Sequence, residues 1–315
     1  MNYALSRSKK GPSLSHRIKE HWQLYVFLLV PVVYIIVFKY VPMSGLVIAL
    51  DNYRVKTGVF GSQWVGFAKF IEFFKSYQFF RVLKNTLIIS SYSIIAGFPF
   101  PIIFALMINC FANGKPKKVV QAVVTLPHFI STTVMVGIIL QFFNIETGVY
   151  GIVTKYLTGK DASNLLGEAK AFRHLYVWTG VWQGFGWGSI IYTAALSSVD
   201  PSLHEAAQLD GANRFQRVVH VDFPSILPTV IIMLILKLGS VMDVGFEKVY
   251  LMQNSLNLET SQIISTYVYE VGLEGSGLSD FSYATAIGIF NSVINLIMII
   301  TVNQISRKVG ETSLW

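Results

Sequence analysis

Six apolar runs, at about 24–41, 86–111, 119–143, 175–196, 227–249 and 281–302, constrain this chain more than any other feature of it. Each is near the ~20 residues that a helix rising about 1.5 Å per residue needs to cross a hydrocarbon layer about 30 Å thick. Lipid offers no water to a bare N–H or C=O, so such a run folds as a helix that closes its own hydrogen bonds. The expected fold class is therefore an all-α membrane protein with six transmembrane helices. Pro31 in the first run is tolerable where neighbouring helices re-satisfy the backbone, and Lys39 near its end can extend its amine to the interface.

The rest of the composition agrees with a lipid solvent and narrows the function. Charged residues make up 13% of the 315, against about 25% in an ordinary soluble domain. The net charge of +8 does not mark a nucleic-acid surface, because Lys and Arg flank the apolar runs instead of lining one strip between aromatics. The single cysteine, Cys110, excludes a disulfide framework and a cysteine-based metal site. His16, His21, His128, His174, His204 and His220 lack metal-ligand spacing, no hydrolytic constellation is visible, and no G-x-x-x-x-G-K-[ST] run is present to cradle phosphates. The expected catalytic and metal sets are thus empty, and energy has to arrive from another chain. Arg7, Lys9, Lys10, Arg17 and Lys19 precede the first run like the start of a signal peptide. That run is too long and lacks a small-residue cleavage site, so it is expected to be retained as the first span.

Charge also orients the spans. The basic N-terminal segment, the turn Gly114-Lys115-Pro116-Lys117-Lys118, Arg214 with Arg217, and Arg307 with Lys308 fall on one side of a six-span arrangement, which the positive-inside rule makes cytoplasmic. The expected organisation is a cytoplasmic tail at 1–23, a six-helix transmembrane domain over 24–303 and a cytoplasmic tail at 304–315. Segments 42–85, 144–174 and 250–280 would face outside.

Between the fourth and fifth runs, 200–224 is too polar to insert and too patterned for a plain loop. It reads as two short helices around a glycine turn. Ser202 caps the first with Glu205 three residues on, Pro201 sits at its start, and Leu203, Ala206 and Ala207 share a narrow face beside Asp210. Gly211 takes the left-handed conformation that ends that helix, and Phe215, Val218 and Val219 form a second amphipathic turn that Pro224 stops. Glu205-Ala206-Ala207, three residues, Gly211, nine residues, Val221, one residue, Phe223, Pro224 resembles the EAA loop of bacterial ABC importer permeases, with Val221 for Ile and Phe223 for Leu. The resemblance implies a type I ABC importer permease fold in the bacterial cytoplasmic membrane. It also implies a coupling helix, carried by Glu205, Ala206, Ala207, Asp210, Gly211 and Pro224, that docks into a cytoplasmic ATPase. The implied partners are a second, similar permease subunit, two ABC ATPase subunits that hold the ATP and Mg, and an extracellular or periplasmic solute-binding protein.

Trp64-Val65-Gly66-Phe67-Ala68-Lys69-Phe70, Asn85-Thr86-Leu87, Leu126-Pro127-His128-Phe129-Ile130-Ser131 and Gly148 are similar to sugar permeases of the maltose and glycerol-3-phosphate type. Gly245-Phe246-Glu247-Lys248-Val249-Tyr250 and Thr266-Tyr267-Val268-Tyr269 resemble the branch that handles complex oligosaccharides, uronate-containing ones included. Carbohydrate uptake driven by a partner ATPase is what this implies.

Seven residues are candidates for the substrate pathway: Trp178, Trp182, Gln183, Lys237, Asp243, Asn291 and Asn295. Trp178 and Trp182 form a stripe with Phe185, Ser189 and Tyr192 that suits stacking on sugar rings and equally suits a lipid interface. Asn291 and Asn295, one helical turn apart, can bond sugar hydroxyls or a neighbouring helix. Lys237 and Asp243 are costly at depth unless they face water or pair with each other or a neighbour. Gly180, Gly184 and Gly188 at intervals of four read first as a packing face. The rival function, an ion-coupled secondary transporter, calls for repeated halves or broken helices around buried charges. An intramembrane enzyme would need paired catalytic groups at depth, which the sequence does not offer.

Overall fold

The computed structural model describes residues 19–110, 114–274 and 279–310. Helix α1, Trp22–Leu50, is longer than the first apolar run because Pro42 does not end it. Proline has no N–H and crowds the carbonyl four residues back. The chain accommodates this with a wide π turn at Ile36–Tyr40, in which the Val41 N–H reaches the Ile36 carbonyl five residues back, and it finishes in 3-10 turns at Ser44–Leu50. A two-stranded antiparallel ribbon, β1 Asp51–Asn52 with β2 Gln63–Trp64, and α2, Ala68–Lys75, follow. Much of the segment expected outside is therefore folded, and Lys69 of α2 pairs with Asp280 at 2.7 Å.

Helix α3, Tyr77–Gly97, starts well before the apolar run, where Ser76 accepts the Phe79 N–H at 3.2 Å. It continues into α4, Pro99–Asn109. The third expected span is not one straight helix. Its residues form α5, Lys115–Phe129, and α6, Thr132–Phe142, which meet at 94°. Ile130 and Ser131 are extended there, Pro127 denies the turn a donor, and the Ser131 hydroxyl caps α6. After α7, Val149–Thr158, comes α8, Ala169–Ser197.

Helix α9, Pro201–Leu209, precedes α10, Arg214–Gly239. The fifth expected span thus ends about ten residues early, since the chain turns at 240–245 before α11, Phe246–Met252. Gly239 approaches Ile299 so closely that a Cβ would lie 2.9 Å from it, and the Met242 N–H freed by the turn donates to Asn295 Oδ1 at 3.0 Å. Short helices α12, Leu258–Ser261, and α13, Ile264–Tyr269, lead to α14, Phe281–Gly310, which runs past residue 302 into the expected tail.

Four segments among the described residues are long and apolar enough to cross a membrane: α1, α3 with α4, α10 and α14. The bent α5–α6 pair makes a fifth if it is one crossing. Helix α8 has 29 residues and is about 44 Å long, but Gly, Trp, Tyr and Gln dilute its hydropathy. It passes through the middle of the bundle, packed against α3, α4, α5, α10 and α12.

Three apolar clusters hold these elements. Ile89, Met135, Val136, Ile139, Phe172 and Val249 join α3, α6, α8 and α11. Phe73, Val82, Ile264, Tyr283 and Ile287 join α2, α3, α13 and α14. Ile102, Ala105, Tyr192, Leu196, Ile226 and Val230 join α4, α8 and α10. The Asn85-Thr86 pair pins the α12 region to α3: Asn85 donates to the carbonyls of Glu259 and Gln262 at 2.9 and 3.0 Å, Thr86 Oγ1 accepts the Ile264 N–H at 3.0 Å, and Arg173 donates to Asn85 Oδ1 at 2.8 Å. Away from water such donors and acceptors must find partners inside the protein.

Candidate coupling element and translocation cavity

Helix α9 stands on the surface with no buried residue. Its cap is Asp200, not Ser202: the Asp200 carboxylate accepts the Ser202 N–H at 2.9 Å, which holds that carboxyl below its usual range. Pro201 takes the first helical position, so Glu205 is left exposed without a capping-box role. At the far end Gly211 has φ +77°, the Ala212 N–H returns to the Ala207 carbonyl at 2.9 Å, and the Gly211 N–H bonds Gln208 at 3.0 Å. Asn213 and Gln216 then form a reciprocal capping box, with bonds of 2.8 and 2.9 Å, that starts α10.

Pro224 does not stop that helix. A π turn at Val218–Asp222, with the Phe223 N–H bonded to the Val218 carbonyl, carries the chain past it as the equivalent turn does before Pro42. Leu203, Ala206 and Asp210 are exposed while His204 and Ala207 turn inward, and Leu209 and Phe215 are 89% and 75% exposed. The inward side is tied down by Asp222, which is 3% exposed: its Oδ1 lies 3.4 Å from His204 Nε2 and accepts from Asn109 Nδ2 of α4 at 3.2 Å.

A cavity of about 360 Å³ opens between α3, α4, α8, α10 and α11. Gly180, Gly184 and Gly188 all lie on its wall, and only two of them meet a neighbour. Gly188 meets Pro101, Gly180 meets the Lys248 amine, and Gly184 faces open space. The tightest glycine of α8 lies elsewhere: a Cβ at Gly186 would meet the Val124 backbone of α5. Two lysines reach the cavity, Lys237 from the last turn of α10 and Lys248 from α11, and no Asp or Glu lines it. Lys248 is 8% exposed; its Nζ donates to the Tyr176 carbonyl at 2.9 Å and stands 4.8 Å from the centre of that residue's ring.

Gln183 also borders this cavity, and its amide donates at 3.0 Å to the Ile130 carbonyl that the α5–α6 bend leaves free. The other pathway candidates lie apart. Trp178 and Trp182 border a separate depression of about 310 Å³ with His174, where Trp178 donates to Tyr92 Oη at 2.9 Å. Asp243 lies on the turn after α10 and accepts from Asn291 at 3.3 Å, while Asn291 borders a largely apolar cavity of about 960 Å³ with residues of α1, α13 and α14. Asn295 is occupied by the Met242 N–H.

Residues 91–311 match the family described as the binding-protein-dependent transport system inner membrane component. The chain belongs to that family. This permease is 40% identical over 306 residues to the protein LplB of Bacillus subtilis strain 168, covering 97% of this chain and 95% of the relative. It is 37% identical over 309 residues, 98% and 95% of the two chains, to the polygalacturonan/rhamnogalacturonan transport system permease protein YteP of the same strain. Among solved structures it superposes with TM-score 0.85 and 38% identity, over 94% and 99% of the two chains, on a bacterial ABC transporter involved in the import of the acidic polysaccharide alginate. A second, in complex with an alginate pentasaccharide-bound periplasmic protein, gives TM-score 0.86 at 38% identity over 96% and 99%.

Two residues of this site were not singled out as site residues in the sequence. Asp222 occupies the variable place between Val221 and Phe223 of the spaced motif, and Lys248 lies in a stretch, 245–250, whose likeness to relatives does not mark it as a site residue. A second lysine soon after Lys237 in an apolar stretch was the available signal for Lys248. The expectation of one straight span to residue 249 concealed that the chain folds back there.

Proposed function

We propose that this permease forms one half of the membrane pathway of an ATP-driven importer for oligosaccharides, acidic uronate-bearing ones in particular. A second, similar permease supplies the other half and a solute-binding protein delivers the sugar. ATP and Mg are held by two cytoplasmic ATPase subunits that take α9 as their docking element, with both termini of this chain on the same side. The observation that carries the reading is α9 itself. A short helix, rigidly capped at both ends and braced underneath by Asp222, leaves Glu205, Ala206, Leu209 and Asp210 uncovered. The names of the relatives support the substrate class, since YteP is a polygalacturonan/rhamnogalacturonan permease protein and the solved neighbours belong to alginate importers. The acid-free cavity with two lysines agrees with them. Mechanically, closure of the ATPases would move α9, and the pathway would shift between two packed states.

The test is reconstitution of this chain in nanodiscs with its partner permease, ATPases and binding protein. ATP hydrolysis should rise when the binding protein carries an oligogalacturonide. Glu205→Lys, which reverses a charge on the docking face, should insert normally yet retain less ATPase on purification and lose the stimulation. Full retention with full stimulation would overturn the docking role of α9. Uptake that proceeds as well with ADP would favour an ion-coupled carrier instead.

A further inference from the structure

We infer that Lys248 is a carboxylate-binding site within the translocation cavity, its ammonium pairing with a uronate group of the passing oligosaccharide; this rests on the function proposed above. A buried ammonium without an acid is expensive, because its lost hydration is regained only through a counter-charge and further hydrogen bonds. Lys248 is such a group, since no carboxylate lies within 4.0 Å of it among the described residues. The protein replaces part of the hydration with one carbonyl, that of Tyr176, and with the negative face of the same residue's ring. Of the three donors on an ammonium, one is thus used.

The surroundings leave room for that ammonium on the cavity wall. Gly180 makes room for it, because a Cβ there would stand 3.3 Å from Nζ. Gly245 admits the Tyr176 ring in the same way, with the hydroxyl 3.2 Å from where a Cβ would be. Lys237 adds a second positive charge to the same wall, and the wall carries no acid to offset either. Two like charges sharing a partly desolvated cleft attract an anion and bind it more strongly than they would in water. A neutral sugar hydroxyl can accept a hydrogen bond there but cannot neutralise the site, whereas a uronate carboxylate does both.

The rival role for Lys248 is structural, a hydrogen bond that fastens α11 to α8. Three substitutions in the reconstituted importer separate the two, with uptake of an oligogalacturonide as the readout and co-purification of the ATPases as the check on assembly. Gln can keep the bond to Tyr176 without the charge, Arg keeps the charge, and Met keeps neither. Lys248→Gln and Lys248→Met should each lower uptake about tenfold or more, the scale of one charge-assisted hydrogen bond, with assembly intact, while Lys248→Arg stays within about threefold of the natural chain. Wild-type uptake by Lys248→Gln, or equal loss in all three variants, would overturn the inference and leave the proposed function standing. A natural importer that docks its partners but does not take up oligogalacturonide would overturn the substrate class and this site with it.

Discussion

Gly211 shows how much one residue can decide. Its φ of +77° lies in the left-handed region, where a β-branched side chain costs about 1–3 kcal/mol, and nothing stands within 4 Å of where a Cβ would be. Conformation and not crowding therefore sets the cost. Gly211→Val should misaim α9 and reduce the ATPase retained on the purified assembly, whereas Gly211→Asn, which tolerates this conformation, should keep most of it. Equal retention in the two variants would show that the turn is not what matters. Asp222 acts from below the same helix. Replacing it with Ala removes the carboxylate that faces His204 and accepts from Asn109, and a charge-assisted contact of ~1 kcal/mol corresponds to about fivefold faster amide exchange across α9. Unchanged exchange would mean that α9 is held by its caps alone.

Among the elements, α8 carries the bundle, and the most crowded of its glycines is Gly186. A Cβ at Gly186 would overlap the backbone carbonyl of Val124, which cannot move aside as a flexible side chain would, while Gly184 two residues away faces open space. Gly186→Ala should cost about 1–3 kcal/mol by forcing α5 and α8 apart, and Gly184→Ala should cost little or even stabilise slightly through helix propensity. Thermal unfolding of the two variants in detergent measures the difference, and equal midpoints would refute this packing. The two π turns show a second rule at this scale. Each ends two residues before a proline, at Tyr40 before Pro42 and at Asp222 before Pro224, so the extra residue in the turn lets a long helix survive a residue that would otherwise break it.

At the scale of the whole molecule, the distribution of charge predicts which way it sits in the membrane. By the positive-inside rule, the basic turn at Lys115-Pro116-Lys117-Lys118 and the pair Arg307 and Lys308 predict that α9 faces the cytoplasm. With Cys110 changed to Ala, Gln208→Cys in α9 should resist an impermeant thiol reagent in intact cells, and Lys160→Cys, exposed after α7, should react. The reverse pattern would invert the molecule and remove the docking role of α9. The outer face of α1 bears on assembly as well: none of its most apolar stretch is buried within the chain, so lipid or another subunit is its solvent.

Much of this was already legible along the chain. Runs of about twenty apolar residues fix helices by themselves, because a backbone in lipid has no other way to close its hydrogen bonds. The turn at Gly211 was legible too, because a glycine after a capped amphipathic stretch carries its own backbone preference. Where those helices bend was not legible. Pro127, Pro42 and Pro224 look alike in sequence, yet the first lies at a 94° corner and the others sit inside continuous helices. The difference lies in whether a distant group such as Gln183 takes up the freed carbonyl or a π turn absorbs the strain locally. The cavity is likewise a tertiary product. Lys237 and Lys248 lie eleven residues apart on two helices with a turn between them, and they share one wall because Gly239 packs against Ile299 and Asn295 holds the turn that follows. Hydropathy, which averages along the chain, cannot register a contact made across it.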